Sequence, residues 1–206
     1  MTSAKPKRTA ASTAPSPSSL VPMIALLRGI NVGGKHPLAM KDLALVATKL
    51  KLLHVSTYIN SGNLLFASEQ PPSLIENALE SALEKRCGFG VPVVIRTLSQ
   101  WSAYAKTSLF LAAQDARPNL LHLALSKHPP LADTVATLSL KAVSNEQLAL
   151  EGDALWIDYV EGAGRSKITP AHIDKATGSP TTSRNFNTVQ KLHMLLSAVS
   201  AELSTS

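Results

Sequence analysis

The sequence has almost no cysteine. Its one cysteine, Cys87, excludes an internal disulfide and any zinc site built mainly from cysteine. The six histidines lack the paired spacing of a metal site on one helical face, so we predict no metal site. A GxSxG nucleophile motif is also missing, and Cys87 has no predicted base beside it. The sequence therefore identifies no catalytic residue, and it leaves any cofactor undefined.

Long apolar runs are missing as well. No apolar segment approaches the roughly 18 residues that a membrane span needs, and no secretory apolar segment lies near the start. Apolar residues make up 45% of the chain and charged residues 17%, a composition typical of a globular protein with one large domain or two small ones. We therefore expect a cytoplasmic protein without a membrane partner.

Acidic residues are absent from the first 22 residues. Lys5, Lys7 and Arg8 supply half of the formal net charge of +6, and this excess favours acidic partners such as phosphates or nucleic acid. The segment is rich in Ser, Ala, Thr and Pro, which predicts a disordered tail over 1–22. An organelle transit peptide is the alternative, but three prolines by position 17 interrupt the amphipathic helix that such a signal needs.

The first half of the chain has the pattern of one α+β unit. Apolar runs and β-favouring residues mark its strands, and apolar side chains at helical spacing mark its helices. The predicted elements are a strand at 23–30, a helix at 40–52, a hairpin at 55–68 around Ser61-Gly62-Asn63, a helix at 71–86 and a strand at 91–97. This β-α-β-β-α-β order is that of a ferredoxin-like unit.

The second half follows a variation of the same plan. After a connector at 98–118 with a short helix at 99–106, the predicted elements are a strand at 119–126, a helix at 130–138, a hairpin at 146–159 with its turn at Gly152-Asp153, and helices that begin near Thr169-Pro170 and Asn187. A Thr followed by Pro is a typical helix start. We therefore predict an α+β fold of two ferredoxin-like units, 23–97 and 119–206, the second a variant or degenerate copy of the first.

A glycine-rich turn follows the first predicted strand. In the stretch from Gly29 to Lys35, GINVGGK, the lysine stands in the register of a P-loop. A P-loop also needs a Ser or Thr after the lysine to hold magnesium, and here His36 and Pro37 follow, which disfavours nucleotide hydrolysis. The glycines can simply serve a tight strand-to-helix crossing, or, with Arg28 and Lys35 beside them, form an anion site.

A second such segment is 161–170. Gly162 and Gly164 leave backbone amides open beside Arg165 and Lys167, just before a predicted helix. A capped helix start explains the segment without any ligand, so an anion site there is the less economical of two interpretations.

The third segment is 181–192. Asn187 and Gln190 have the spacing of a capping box, with Arg184 and Asn185 just ahead of the predicted helix. A capped helix start is again sufficient for this segment alone. Three such segments in one small protein favour a shared pocket more than any one of them does.

Recognition of RNA by base stacking is disfavoured. Modules with this strand order stack bases on aromatic side chains of their two central strands. Aromatic residues make up 4% of the chain, and the two corresponding runs contain Phe66 alone. The segment CGFGVPV at 87–93 imitates part of the aromatic signature, but it precedes the last strand and contains Pro92. A contact of the tail with nucleic acid that is not sequence-specific stays open.

Five short motifs follow one another in a recognisable order. They are LLRGINVGG at 26–34 with Met40, TYINSGN at 57–63 with Phe66, VIRT at 94–97, GRSK at 164–167 and RNFNTVQKL at 184–192. From about Met23 to Leu196 the chain resembles the bacterial family called domain of unknown function 1697. The resemblance implies an α+β protein of ferredoxin-like units, and it brings no catalytic residue because the family's activity is unassigned.

The resemblance also bears on two single positions. The family's recurring motif ends at Gly34 and the following positions vary, which implies that Lys35 stands in P-loop register by coincidence. Phe186 stands where the family usually has Trp, a change that keeps a packing face and removes an indole donor.

We predict that the loops at 28–34, 61–63, 164–167 and 183–188 meet in one pocket. It would bind a phosphorylated or otherwise anionic small molecule, with a nucleotide as one candidate. The predicted ligand-binding residues are Arg28, Asn31, Gly33, Gly34, Ser61, Asn63, Ser166, Lys167, Arg184, Asn185 and Asn187. The rival hypothesis is a nucleic-acid or protein interaction module that uses its sheet surface and basic tail. The sequence does not define an oligomeric state.

Overall fold

The computed structural model describes residues 20–107 and 109–205, and its first half forms a four-stranded antiparallel sheet. The elements are β1 Val21–Leu27, α1 Met40–Lys49, β2 Leu53–Tyr58, β3 Asn63–Ser68, α2 Pro72–Cys87 and β4 Val93–Thr97. The strand order is β2-β3-β1-β4. The strand β1 begins two residues inside the segment predicted as tail, and the predicted tail up to residue 19 lies outside the described residues.

A second four-stranded antiparallel sheet repeats this connectivity. Its elements are β5 Leu121–Ser126, α5 Thr134–Ser139, β6 Gln147–Glu151, β7 Ala154–Asp158, α6 Pro170–Thr177 and β8 Thr181–Asn185. The strand order β6-β7-β5-β8 is again second, third, first, fourth. The sequence missed β8, because its residues TTSRN are polar although most of them are buried. The α+β class is confirmed.

Three further helices complete the described elements: α3 Leu98–Ala105, α4 Leu111–Ala116 and α7 Phe186–Thr205. They share one apolar core with the facing side of each sheet. Trp101 in α3 is fully buried there, and its indole nitrogen donates to the carbonyl of Val189 in α7 at 3.1 Å. The segment predicted as a connector is therefore part of the core.

The strand β1 shows why its apolar run is continuous. Met23, Ala25 and Leu27 pack with residues of α1 and α2, whereas Ile24 and Leu26 pack into the core shared by the two sheets. A strand that is covered on both faces needs apolar side chains at every position. Among the described residues, no helix is both long and apolar enough to cross a membrane.

The starts of α6 and α7 decide how two predicted site segments are placed. Thr169 caps α6 as predicted, because its hydroxyl accepts from the amide of His172. The helix α7 begins at Phe186, and its capping side chain is Asn185, which accepts from the amide of Thr188 at 2.9 Å. The predicted capping box at Asn187 is therefore wrong. The helix begins earlier in the chain, at Phe186, directly after β8 ends at Asn185.

Candidate functional site

A cavity of about 640 Å³ opens where the two sheets meet. Its wall includes residues 28–30 and Val32, Ser61, residues 163–164 and residues 183–184. The structure thus brings together parts of the four loops that were predicted to meet. Binding at this place stays a prediction.

Arg184 lies at the wall of this cavity and is 7% exposed. Its acceptors are Asn63 Oδ1 (2.6 Å), Thr182 Oγ1 (2.9 Å) and the carbonyls of Ser183 (2.8 Å), Ser61 (2.9 Å), Leu27 (3.2 Å) and Gly62 (3.3 Å). All of these acceptors are neutral, and no carboxylate among the described residues pairs with the guanidinium. Burial lowers the pKa of Arg184 to about 10, so the group stays charged at neutral pH.

Asn63 holds Arg184 in place from behind. It is fully buried, and its amide nitrogen donates to the carbonyl of Tyr58 at 2.9 Å and to Ser61 Oγ at 3.1 Å. The neighbouring Gly62 has a φ of +77°, and a Cβ there would lie 2.7 Å from Leu27 Cβ. The turn therefore packs directly under the end of β1, where only glycine fits.

Arg28 also lies at the cavity wall, but a carboxylate balances its charge. Its guanidinium pairs with the carboxylate of Asp174 in α6. The other carboxylate oxygen of Asp174 accepts from the amide of Thr181 at 2.9 Å. The pair links the first half of the chain to the second and offsets the charge that the sequence predicted Arg28 would supply.

The glycine-rich turn has a structural role in this geometry. The side chain of Asn31 donates to the carbonyls of Leu38 and Asn60, each at 2.9 Å, and accepts from the amide of Leu38 at 2.8 Å. Gly33 and Gly34 have φ values of +56° and +75° at the exposed tip of the turn. None of these three predicted residues lies at the cavity wall. Asn31 stabilises the glycine-rich loop by hydrogen bonds, and the two glycines permit its backbone conformation.

The predicted residues of the 164–167 loop face elsewhere. The hydroxyl of Ser166 donates to the carboxylate of Glu146 and accepts from the amide of Ile168 at 3.0 Å. Lys167 is exposed and is not part of the cavity wall, although the neighbouring Gly164 and Ile168 are. The backbone of this loop thus contributes to the cavity, whereas its predicted polar side chains do not.

The last two predicted residues are used at the start of α7. Asn185 is the helix cap, and Asn187 donates to the side chain of Asn119 at 2.7 Å. Neither lies at the cavity wall. The predicted residues that do lie there are Arg28, Ser61 and Arg184.

Two further residues of the wall were not predicted, His122 and Tyr159. Their rings meet edge to face with centroids 5.1 Å apart. Burial lowers the pKa of His122, against a smaller opposing effect of the contact with the carbonyl of Asn119, and it raises the pKa of Tyr159 to about 12, with Glu146 adding to this. No sequence signal marks them, because their contact depends on the pairing of β5 with β7, in which His122 lies opposite Ile157, two residues before Tyr159.

A second cleft is lined by Tyr104, Gly152 and Asp153, and its Asp153 binds Arg96, the counterpart of Arg184 in the first sheet. Arg96 is the fourth residue of β4, as Arg184 is of β8. Its guanidinium donates to Asp153 Oδ2 at 2.8 Å and to the carbonyl of Ser126 at 3.0 Å. Asp153 follows a turn glycine, as Asn63 does in the first half. A carboxylate therefore neutralises the arginine of the second cleft, and an amide leaves that of the first cleft charged.

Tyr104 completes this second cleft, whose cavity measures about 430 Å³. Its hydroxyl donates to Asp153 Oδ1 at 2.7 Å, and burial, helped by that bond, raises the pKa of Tyr104. Among the residues that the structure describes, no group of three or more His, Cys, Asp or Glu could hold a metal ion. Since Asp153 balances the charge of Arg96, the feature that distinguishes the first cleft from the second is the unbalanced charge of Arg184.

Comparison with known proteins supports the fold and names the family. No curated protein matches the sequence. The conserved bacterial protein SP0830 from Streptococcus pneumoniae is structurally similar, with a TM-score of 0.68 and 24% identity, over 86% of this chain and 99% of that one. At that identity the similarity shows the fold alone. A family model matches residues 21–156, more than half of the chain but less than the likeness up to Leu196 that the motifs predicted. The chain therefore belongs to the family described as "Protein of unknown function (DUF1697)".

Proposed function

We propose that the protein binds an anionic small molecule, phosphorylated or carboxylated, in the cavity of about 640 Å³ between its sheets. The observation that carries the proposal is the buried guanidinium of Arg184, which has no counter-charge among the described residues. A charge in a poorly solvated place interacts more strongly with an approaching anion than the same charge in water. The volume is in the range of small-molecule sites, about 300–1,000 Å³.

Arg184 would act through its electrostatic field. All of its N–H groups already have acceptors within the protein, so it has no donor to spare for a ligand. Direct contacts are available from the hydroxyl of Ser61, which accepts from Asn63 and keeps its own hydrogen to donate. The amides of Gly29 and Ile30 at the wall also make no hydrogen bond within the described part of the chain.

The substitution Asn63→Asp tests this proposal. It keeps the oxygen that accepts from Arg184 and adds a negative charge beside it, so the unbalanced charge disappears. We expect affinity for phenyl phosphate, measured by calorimetry, to fall by about tenfold or more, equivalent to about 1.4 kcal/mol. Asn77→Asp, at an exposed position of α2, is the matched control and should leave the affinity unchanged.

A second variant covers the risk that Asn63→Asp disturbs the turn. Ala163 is exposed at the cavity wall, and Ala163→Glu brings a carboxylate there without breaking a hydrogen bond of Arg184. Its control is Ala103→Glu, at an exposed wall position of the second cleft. Equal affinity of the wild type and Ala163→Glu for phenyl phosphate, or no binding of any anion to the wild type, would overturn the proposal.

We also propose that both halves are ferredoxin-like units with the predicted boundaries 23–97 and 119–206. The shared β-α-β-β-α-β order supports this, as does the common strand order of the two sheets. The cytoplasmic location and the disordered tail stay predictions.

The rival interaction module receives less support from the geometry. It needs an open sheet surface, but the central strands β1 and β3 are covered on both faces in the described residues. Phe66, the aromatic residue that bases would stack on, is fully buried in the core beneath α1 and α2. Contacts of the basic tail with nucleic acid fall outside the described residues and stay a prediction.

A further inference from the structure

The charge balance of the cavity limits what kind of anion suits it. Arg28 and Arg184 are the basic residues of the wall, and Asp174 offsets the charge of Arg28. One positive charge therefore remains. Nucleoside di- and triphosphates carry several negative charges, which proteins usually balance with additional Lys or Arg residues or with magnesium. The wall contains no lysine, and the described residues hold no cluster for a metal.

The remaining wall is largely apolar. Ile30, Ile168, Ile173 and Tyr159 line it, and all four are buried side chains. Walls of this kind bind the apolar body of a ligand, while a few polar groups fix its orientation. A single charge at one place with isoleucine and tyrosine around it fits a ligand with one anionic group and an apolar body.

His122 at the cavity wall has a hydrogen-bond acceptor without a partner among the described residues. Its Nε2 lies 3.1 Å from the carbonyl oxygen of Asn119, and a carbonyl only accepts, so Nε2 carries the hydrogen. In the neutral ring Nδ1 then has a free lone pair, and within the described residues it makes no hydrogen bond. The edge-to-face contact with Tyr159 holds the ring in place. The wall thus offers an acceptor that a ligand hydroxyl or N–H can fill.

From the charge, the apolar wall and the free acceptor together, and resting on the proposed function, we infer that the cavity selects a singly charged, partly apolar ligand with a hydrogen-bond donor. A hydroxylated aromatic or aliphatic carboxylate has this chemistry. Nucleoside di- and triphosphates do not. Nδ1 of His122 would accept the hydrogen bond from the donor group of the ligand.

Calorimetry with four probes tests the inference on the full chain. The probes are 4-hydroxyphenylacetate, phenylacetate, inorganic phosphate, and ATP with and without magnesium. We expect 4-hydroxyphenylacetate to bind about tenfold more tightly than phenylacetate, since a matched hydrogen bond is typically worth about that factor. ATP should bind more weakly than both.

The variant His122→Phe keeps an aromatic ring and removes the acceptor. It should abolish the preference, so that the ratio of the affinities for 4-hydroxyphenylacetate and phenylacetate falls from about ten to about one. His128→Phe, at an exposed position outside the wall, is the control and should keep the preference. A preference that survives in His122→Phe would overturn the role of His122.

The outcomes separate this inference from the function on which it rests. If ATP binds more tightly than both carboxylates and Ala163→Glu abolishes that binding, the anion cavity stands and the selectivity inferred here is wrong. If no anionic probe binds to the wild type, the proposed anion binding and the inferred selectivity are both wrong.

Discussion

Arg96 and Arg184 hold equivalent positions in the two sheets, and each reaches across to the other half. Arg96 donates to the carbonyl of Ser126 at the end of β5, and Arg184 donates to the carbonyl of Leu27 at the end of β1. The two halves are thus tied by a reciprocal pair of buried arginines. Of the two, Arg96 has a carboxylate partner and Arg184 does not. The junction at Arg96 is therefore electrically neutral, and the junction at Arg184 carries a positive charge.

The substitution Arg184→Met should destabilise the protein strongly. It removes the donors for six acceptors at the junction, several of them buried, and leaving such acceptors unpaired should lower the free energy of unfolding by about 3 kcal/mol or more. Urea denaturation measures this. Arg165→Met, at an exposed position, should change stability by no more than about 0.5 kcal/mol. Similar effects of the two variants would contradict the assigned role.

Removing the counter-charge of the other arginine should also be costly. Asp153→Asn leaves Arg96 buried and unbalanced and weakens the bond from the Tyr104 hydroxyl. We expect a loss of about 1–3 kcal/mol in urea denaturation. Asp115→Asn, an exposed residue of α4, serves as the control and should have little effect. A stable Asp153→Asn variant would show that Arg96 needs no counter-charge.

Two glycines with nearly the same backbone conformation should respond differently to alanine. Gly62 and Gly34 have φ values of +77° and +75°, but a Cβ at Gly62 would lie 2.7 Å from Leu27 Cβ, whereas nothing lies within 4 Å at Gly34. Gly34→Ala should therefore cost about 1 kcal/mol of backbone strain. Gly62→Ala should cost about 2 kcal/mol more, because packed core atoms must move. Thermal denaturation of both variants provides the comparison, and equal losses would contradict it.

The acid side of the stability profile should reflect His122. Burial lowers its pKa in the folded protein below the ordinary value of 6.5, so the unfolded chain binds the proton more readily. Stability from this group is present above pH 6.5 and is lost as the pH falls through the folded pKa. His193 shifts in the same direction, for burial and Lys106 act on its pKa alike, so His122→Phe should reduce the loss without removing it.

An NMR titration of the His122 ring provides the direct measurement. Its midpoint should lie below 6.5 in the folded protein. A midpoint at or above that value would contradict the described burial of the ring.

The local patterns of the chain were sufficient for much of the fold. Apolar runs and a turn glycine predicted the order of the first six elements, and Thr169 before Pro170 predicted the start of α6. These signals are local, because they depend on side-chain spacing and on the backbone freedom of single residues. The strand β8 has no such signal. Its threonines and Arg184 are buried through hydrogen bonds to other segments, which a local pattern does not record.

The sequence by itself determined the α+β class, the family and the loops that approach the cavity. Only the tertiary structure decided which side chains face that cavity and which charges remain unbalanced there. Arg28 and Arg184 are equally basic in the sequence, yet Asp174 neutralises the first, whereas the acceptors of the second in the described part of the chain are all neutral. His122 and Tyr159 became neighbours through strand pairing. Charge balance and contact depend on distances between segments far apart in the chain, and folding alone sets those distances.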